Sequence, residues 1–330
     1  MLKKISIVFW GILMVLILLY SKDAVAGAKN GIILCLYTVL PALFPFSVLS
    51  ILFRSQLTAE KKGFTRSLEK IFNMPRGFFI IFLLGLMGGY PIGALCLEES
   101  IKEKPQIRSS VKYLRAVCNN AGPSFIIGMT ACCFSDKRYC IYLLVIQALS
   151  ALMTCLLLAG NKDFTLGTVK QRQYDITDAL KTSCSAFITV CGIIVMFSAF
   201  LNIIKSRLTG LFSNEIWVII TGLMELTSGI SRLPELVTEE LRFIVAAGML
   251  SFGGLCVTLQ TISIFKTGLR YYLFGKILQA TIAMMLAYMV MKIKYMSFVI
   301  YISVFIVIKY LRKNKCIFLK NSSNSGINAV

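Results

Sequence analysis

Along the chain, apolar runs long enough to cross a membrane alternate with short polar stretches that are mostly basic. The runs fall at 5–20, 31–53, 78–97, 116–134, 139–160, 183–204, 215–230, 243–265, 271–291 and 295–309. This pattern predicts an all-α polytopic membrane protein with ten helical segments. Two of the runs do not fit a plain span. Within 78–97, Gly88-Gly89 loosens the backbone, while Pro91 removes an N–H donor and clashes with the turn before it. The helix is therefore expected to break near its middle. The run 215–230 is short and ends in Thr227-Ser228-Gly229. Unpaired backbone at membrane depth survives only where it is buried in protein or lines a wet cavity. Many secondary carriers build their midplane substrate sites from such broken helices. A Pro-kinked span with glycines for close helix packing is the other outcome these residues allow.

The basic residues bear on topology. Ten simple crossings spread Lys and Arg almost evenly over the two faces. If 78–97 and 215–230 are instead re-entrant hairpins, about eight transmembrane helices remain. The heaviest basic loops, 54–76 and 102–115, then share the cytoplasmic face, as the positive-inside rule requires. Each half becomes helix, hairpin, helix, helix. That is an odd number of crossings, so the second half is an inverted repeat of the first. Short matches agree: Pro45-Phe46-Ser47-Val48-Leu49 with Met196-Phe197-Ser198-Ala199-Phe200, Gly85-Leu86-Met87 with Gly222-Leu223-Met224, and Asn119-Asn120-Ala121-Gly122 with Ser251-Phe252-Gly253-Gly254. The expected division is an uncleaved signal-anchor helix at 1–30, repeats at 31–160 and 161–291, and a last membrane helix with a polar tail at 292–330. The basic stretch 57–72 fits either an amphipathic helix on the membrane surface or a solvated loop.

Composition supports the membrane assignment: the 330 residues are 57% hydrophobic and 15% charged, with a mean hydropathy of +0.77. A net charge of +20 would suggest nucleic acid in a soluble protein. Here the charges sit in short loops, as topology signals and anionic-lipid contacts do, so the lipid bilayer is the expected partner and nucleic acid is not. There are eleven cysteines, none in a CxxC pair, and no histidine. A metal or redox centre is unsupported, and Ser-His-Asp and Cys-His catalysis are excluded. No phosphate-binding Gly-rich loop is present. With no acid–base pair placed at one depth, the expectation is a non-enzyme without a cofactor.

Polar groups at membrane depth are expensive and need a reason. The candidates for a binding site are Gly88, Gly89, Tyr90 and Pro91; Asn119, Asn120, Gly122, Pro123 and Ser124; Glu225, Thr227 and Ser228; and Gln260. Pro123, with Asn as a cap before it, predicts a half-helix whose free N–H groups point into the membrane and attract an anion. Pro91 and Ile92 can present a second such start. Glu225 could bind a proton or cation, or cap a backbone break. Asn202 and Ser198 could complete the cavity with the others. Interhelical hydrogen bonding is the alternative role for any single member; their convergence argues for a cavity. No Lys or Arg is expected deep in the spans, so helix N-termini and amides would have to hold an anionic ligand.

The motifs Gly88-Gly89-Tyr90-Pro91-Ile92-Gly93-Ala94, Asn119-Asn120-Ala121-Gly122-Pro123-Ser124-Phe125, Gly222-Leu223-Met224-Glu225-Leu226-Thr227-Ser228-Gly229 and Ser251-Phe252-Gly253-Gly254-Leu255 resemble the YlbJ-type sporulation integral membrane protein family. That family carries two Gate, or nucleoside-recognition, domains. The resemblance covers residues 31 to 291, and the chain is shorter than typical members in its loops and tail. It implies a multi-pass protein made in the mother cell of an endospore former, moving dipicolinic acid across the outer forespore membrane, with other sporulation membrane proteins as partners. Related Gate domains in nucleoside transporters imply a nucleoside as the alternative substrate. Dipicolinate, a flat aromatic dianion, would place its carboxylates at the two helix starts and its ring against Tyr90 or Phe125. A non-transporting membrane scaffold is the further alternative.

Overall fold

The computed structural model describes residues 2–56, 62–72, 74–158, 166, 174–208, 210–265 and 268–292. Among these the chain is all-α, with no strand. Helix α1 (Leu2–Leu19) leads into α2 (Ser21–Leu34), which runs through a π turn at Cys35–Val39 into α3 (Leu40–Gln56). After α4 (Lys62–Ile71), a first hairpin is made by α5 (Phe78–Gly88) and α6 (Ile92–Glu103). Then α7 (Leu114–Cys118) and α8 (Pro123–Thr130) form one interrupted helix, followed by α9 (Arg138–Leu158). The same order recurs: long α10 (Ile176–Arg207), a hairpin of α11 (Asn214–Met224) and α12 (Leu226–Ser231), an interrupted helix of α13 (Glu239–Phe252) and α14 (Gly254–Phe265), and long α15 (Leu269–Lys292).

Five helices among the described residues are long and apolar enough to cross a membrane: 21–53, α9, α10, 239–265 and α15. Large apolar side chains remain on the outside, Ile188 at 70% and Phe274 at 56% exposure among them. In water that surface would aggregate; in a bilayer it faces lipid. The chain is a multi-pass membrane protein.

Contacts at the helix ends fix the topology. At one end of the bundle Arg207 pairs with Asp23 at 3.0 Å, the Ser135 N–H donates to Glu239 Oε1 at 2.7 Å, and Lys292 pairs with Glu240 at 3.0 Å. At the other, the Leu166 N–H donates to the Arg76 carbonyl at 2.9 Å, and Tyr113 meets the Tyr271 ring edge-on at 5.1 Å. The first hairpin is rooted beside Arg76. The second returns at Ile230, whose carbonyl accepts from Cys133 Sγ near Ser135. The two hairpins therefore enter from opposite ends, which makes the second half an inversion of the first.

The expected boundary at 30/31 falls inside a continuous helix. Gly27 and Gly31 let α10 approach so closely that a Cβ on Gly27 would overlap the Ser198 carbonyl, and one on Gly31 would lie 2.9 Å from Val195 Cα. That seam extends to Asp23, whose carbonyl accepts from Asn202 Nδ2 at 2.8 Å. The polar residues 21–30 read as a boundary in sequence, but tertiary contacts keep them helical. Of the basic stretch 57–72, residues Lys62–Ile71 form helix α4. The expected last membrane helix and the tail, 293–330, lie outside the described residues.

Candidate functional site

Each hairpin is closed by glycine contact. The Cys118 carbonyl lies between Gly85 and Gly93, and a Cβ on either would overlap it. In the second hairpin Gly222 and Gly229 meet so closely that a Cβ on Gly229 would overlap Gly222 Cα. The matched Gly85 and Gly222 thus do the same job in both halves. At the first tip Gly89 has φ 73°, open to glycine, and a Cβ there would sit 2.9 Å from the Gly122 nitrogen in the α7–α8 break. In the second half Gly254 has φ 76°, and its Cβ would lie 3.1 Å from the Gly222 carbonyl and 3.2 Å from the Leu226 nitrogen. Each hairpin tip is seated in the helix break of its own half.

Most groups at the broken ends are met individually by polar side chains. Glu225 caps α12, accepting from the Thr227 N–H at 2.9 Å and the Ser228 N–H at 2.5 Å. The Tyr90 hydroxyl crosses from the first hairpin tip to the second break and donates to the Leu250 carbonyl at 2.9 Å, which the interruption after Phe252 leaves without its helical partner. At the first break Asn120 Nδ2 donates to the Val117 carbonyl at 2.7 Å. Asn120 Oδ1 accepts from Gln147 Nε2 at 3.1 Å and Gln279 Nε2 at 2.8 Å, and Gln147 Oε1 accepts from Ser251 Oγ at 3.0 Å. Asn119 Nδ2 donates to Thr261 Oγ1 at 2.7 Å and to the Tyr272 hydroxyl at 3.1 Å. One buried polar network thus joins the two breaks through α9 and α15.

A cavity of about 340 Å³ opens where these parts converge. One wall is α3 and α10, with Phe44, Ser183 and Phe187; the other is formed by both hairpin tips, the start of α8 and α14. Its size falls at the low end of ligand pockets, roughly 300–1,000 Å³. The Ser124 and Phe125 N–H groups, at the first turn of α8, have no acceptor within the helix and border this space. Glu225, Thr227, Cys256 and Gln260 border it from the second half. Among the described residues no Lys or Arg lines the wall, while Glu225 and Glu99 do.

Of the residues expected at the site, Gly88, Gly89, Tyr90, Pro91, Ser124, Glu225, Thr227 and Gln260 line the cavity. Asn119, Asn120, Gly122, Pro123 and Ser228 do not. Both asparagines are fully buried in the network behind the wall: Asn120 is held by the Val117 carbonyl and two glutamines, and Asn119 by the Thr261 and Tyr272 hydroxyls. Gly122 is occupied against Gly89, and Pro123 follows it at the helix start. Asparagine is not the α8 cap; Gly122 holds that position with no side-chain hydrogen bond. Ser228 and Ser198 face each other at 3.5 Å, and Asn202 belongs to the α2–α10 seam.

The expectation that no basic side chain lies deep in the spans is overturned by Lys276. It is fully buried in α15, and Nζ donates to the Asn119 carbonyl at 2.7 Å and to Gln279 Oε1 at 3.0 Å. Its signal was present in the run 271–291: an ionisable residue inside an apolar span is a functional candidate by default. Gln147 and Gln279 carried a weaker signal of the same kind. Comparison with protein-family models, curated proteins and solved structures found no match.

Proposed function

We propose that this protein is a secondary carrier for a small, flat solute, working by movement of the hairpin-and-break core against α3 and α10. The observation that carries this is the cavity itself. It lies where two oppositely entering hairpin tips and two helix interruptions meet, with the second break met by Tyr90, α12 capped by Glu225 and the first N–H groups of α8 left open to the cavity. A scaffold has no use for such breaks, whereas a carrier needs backbone that binds a ligand and can be rearranged.

The substrate favoured by the resemblance is dipicolinate, moved across the outer forespore membrane during sporulation. Its aromatic ring suits the wall formed by Tyr90, Phe125 and Phe187, and one carboxylate suits the free N–H groups that open α8. A second substrate class rests on Glu225. A carboxylate on a wall that carries no Lys or Arg among the described residues favours an uncharged hydrogen-bonding solute such as a nucleoside over a bare dianion.

Uptake into liposomes holding the purified protein, with labelled dipicolinate and nucleosides compared, tests both. Saturable dipicolinate uptake supports the first substrate, and saturable nucleoside uptake the second. Ala186→Trp, which fills the cavity from the α10 wall without touching tip or break, is expected to abolish either. Uptake of neither class beyond protein-free liposomes overturns the carrier proposal for these substrates.

A further inference from the structure

We infer that the Lys276 ammonium is a built-in cation that takes the place of a coupling sodium ion at the first helix break. In broken-helix carriers, carbonyls released by unwinding coordinate the coupling cation. Here three carbonyls at the end of α7 are met from within the chain. Val117 receives the Asn120 side chain, Cys118 lies against Gly85 and Gly93, and Asn119 receives Lys276 Nζ at 2.7 Å. The remaining ammonium contacts are Gln279 Oε1 at 3.0 Å and the face of the Tyr90 ring, with Nζ 5.4 Å from its centroid. One carbonyl, one amide oxygen and one aromatic face replace water around the charge.

The surroundings are those of an ion site rather than of an ion pair. Lys276 has no exposed surface, and no carboxylate pairs with it among the described residues. A buried charge without a counter-charge persists only where dipoles are aimed at it, and both oxygens here belong to polarised amides. The two halves also differ at the equivalent place. The second break uses the neutral Tyr90 hydroxyl on Leu250; the first uses the ammonium. Through Tyr90 the ammonium touches the first hairpin tip, and through Asn119 it touches the break in which that tip is seated. A tethered cation there holds tip and break together without an ion from solution, so movement of the core requires no sodium.

The sodium-independence of transport rests on the carrier proposal; occupancy of the ion site does not, and the test separates them. Purified full-length protein is heated in sodium, potassium or choline chloride at equal ionic strength. The wild type is expected to unfold at the same temperature in all three. Lys276→Gln keeps a neutral donor but removes the charge. It is expected to unfold earlier in choline and to recover several degrees in sodium, with dependence on sodium concentration. Lys276→Met, which removes both charge and donor, is expected to respond in the same direction. Specific stabilisation of the wild type by sodium overturns the inference even if neither variant folds. So does a Lys276→Gln protein whose lost stability no cation restores, since the lysine is then a packing element. In liposomes, wild-type uptake is expected to be equal with a sodium or a choline gradient. Absence of all uptake defeats the carrier proposal and leaves the unfolding result to stand by itself.

Discussion

At the scale of single residues, the site is held by contacts that each admit one kind of side chain. Tyr90 is a cavity-wall residue whose hydroxyl satisfies a buried carbonyl in the other half. Tyr90→Phe keeps the ring and leaves the Leu250 oxygen unpaired, an expected loss of about 1–3 kcal/mol in unfolding free energy. Glu225 combines two tasks, capping α12 and supplying the carboxylate on the wall. Glu225→Gln is expected to slow uptake sharply in protein inserted at normal abundance; full uptake over a wide pH range would leave capping as its sole role. The glycines divide by their surroundings. Gly85→Ala and Gly93→Ala drive a methyl into the Cys118 carbonyl and are expected to destabilise by at least the 1–3 kcal/mol typical of overpacking. Gly192→Ala, with nothing near its Cβ, should leave abundance unchanged. Membrane abundance and thermal unfolding of the three variants check this. Gly89→Leu is expected to destabilise the first tip, because φ 73° and the Gly122 nitrogen leave no room for a side chain there.

At the scale of elements, the unit is a hairpin whose tip seats in a broken helix. Apolar runs located the arms of these units, because composition alone distinguishes α5 or α11 from a loop. Punctuation by Gly88-Gly89, Pro91 and Pro123 placed the first tip and the start of α8 correctly. The hairpin geometry carries a topological consequence. Cysteines placed at the exposed Arg76 and Gln106, on either side of the first hairpin in a background without native cysteines, are expected to react with an impermeant thiol reagent from the same side of the membrane. Labelling from opposite sides would mean that 78–103 spans.

At the scale of the whole molecule, inversion places the second hairpin root on the other face. A cysteine at Leu211, exposed just before α11, is therefore expected to label from the side opposite Arg76. Labelling of both from one side would overturn the inverted arrangement. The polar network through Asn120, Gln147, Gln279 and Ser251 ties the two breaks together, so the core should move as one body against α3 and α10. Close packing explains why α2 continues below its expected start: Gly27 and Gly31 let α10 lie directly against it.

What the sequence determined by itself was whatever depends on local composition. Apolar runs set the membrane class, since burying them in lipid outweighs any other placement. Glycine and proline set where helices stop, since backbone freedom and a missing donor act on the nearest turn. Hairpins at the two broken runs leave an odd number of crossings per half, which requires inversion. What only the tertiary structure decided was partnership across the chain. Asn119 and Asn120 look like ligand residues in isolation, yet in the folded state Asn119 meets the Thr261 and Tyr272 hydroxyls, and Asn120 meets the Val117 carbonyl and the amides of Gln147 and Gln279. Lys276 looks like one charge in a span; only folding brings it to the Asn119 carbonyl, 157 positions away in the chain. Hydrogen-bond demand at a helix break is local, but the group that meets it is chosen by packing.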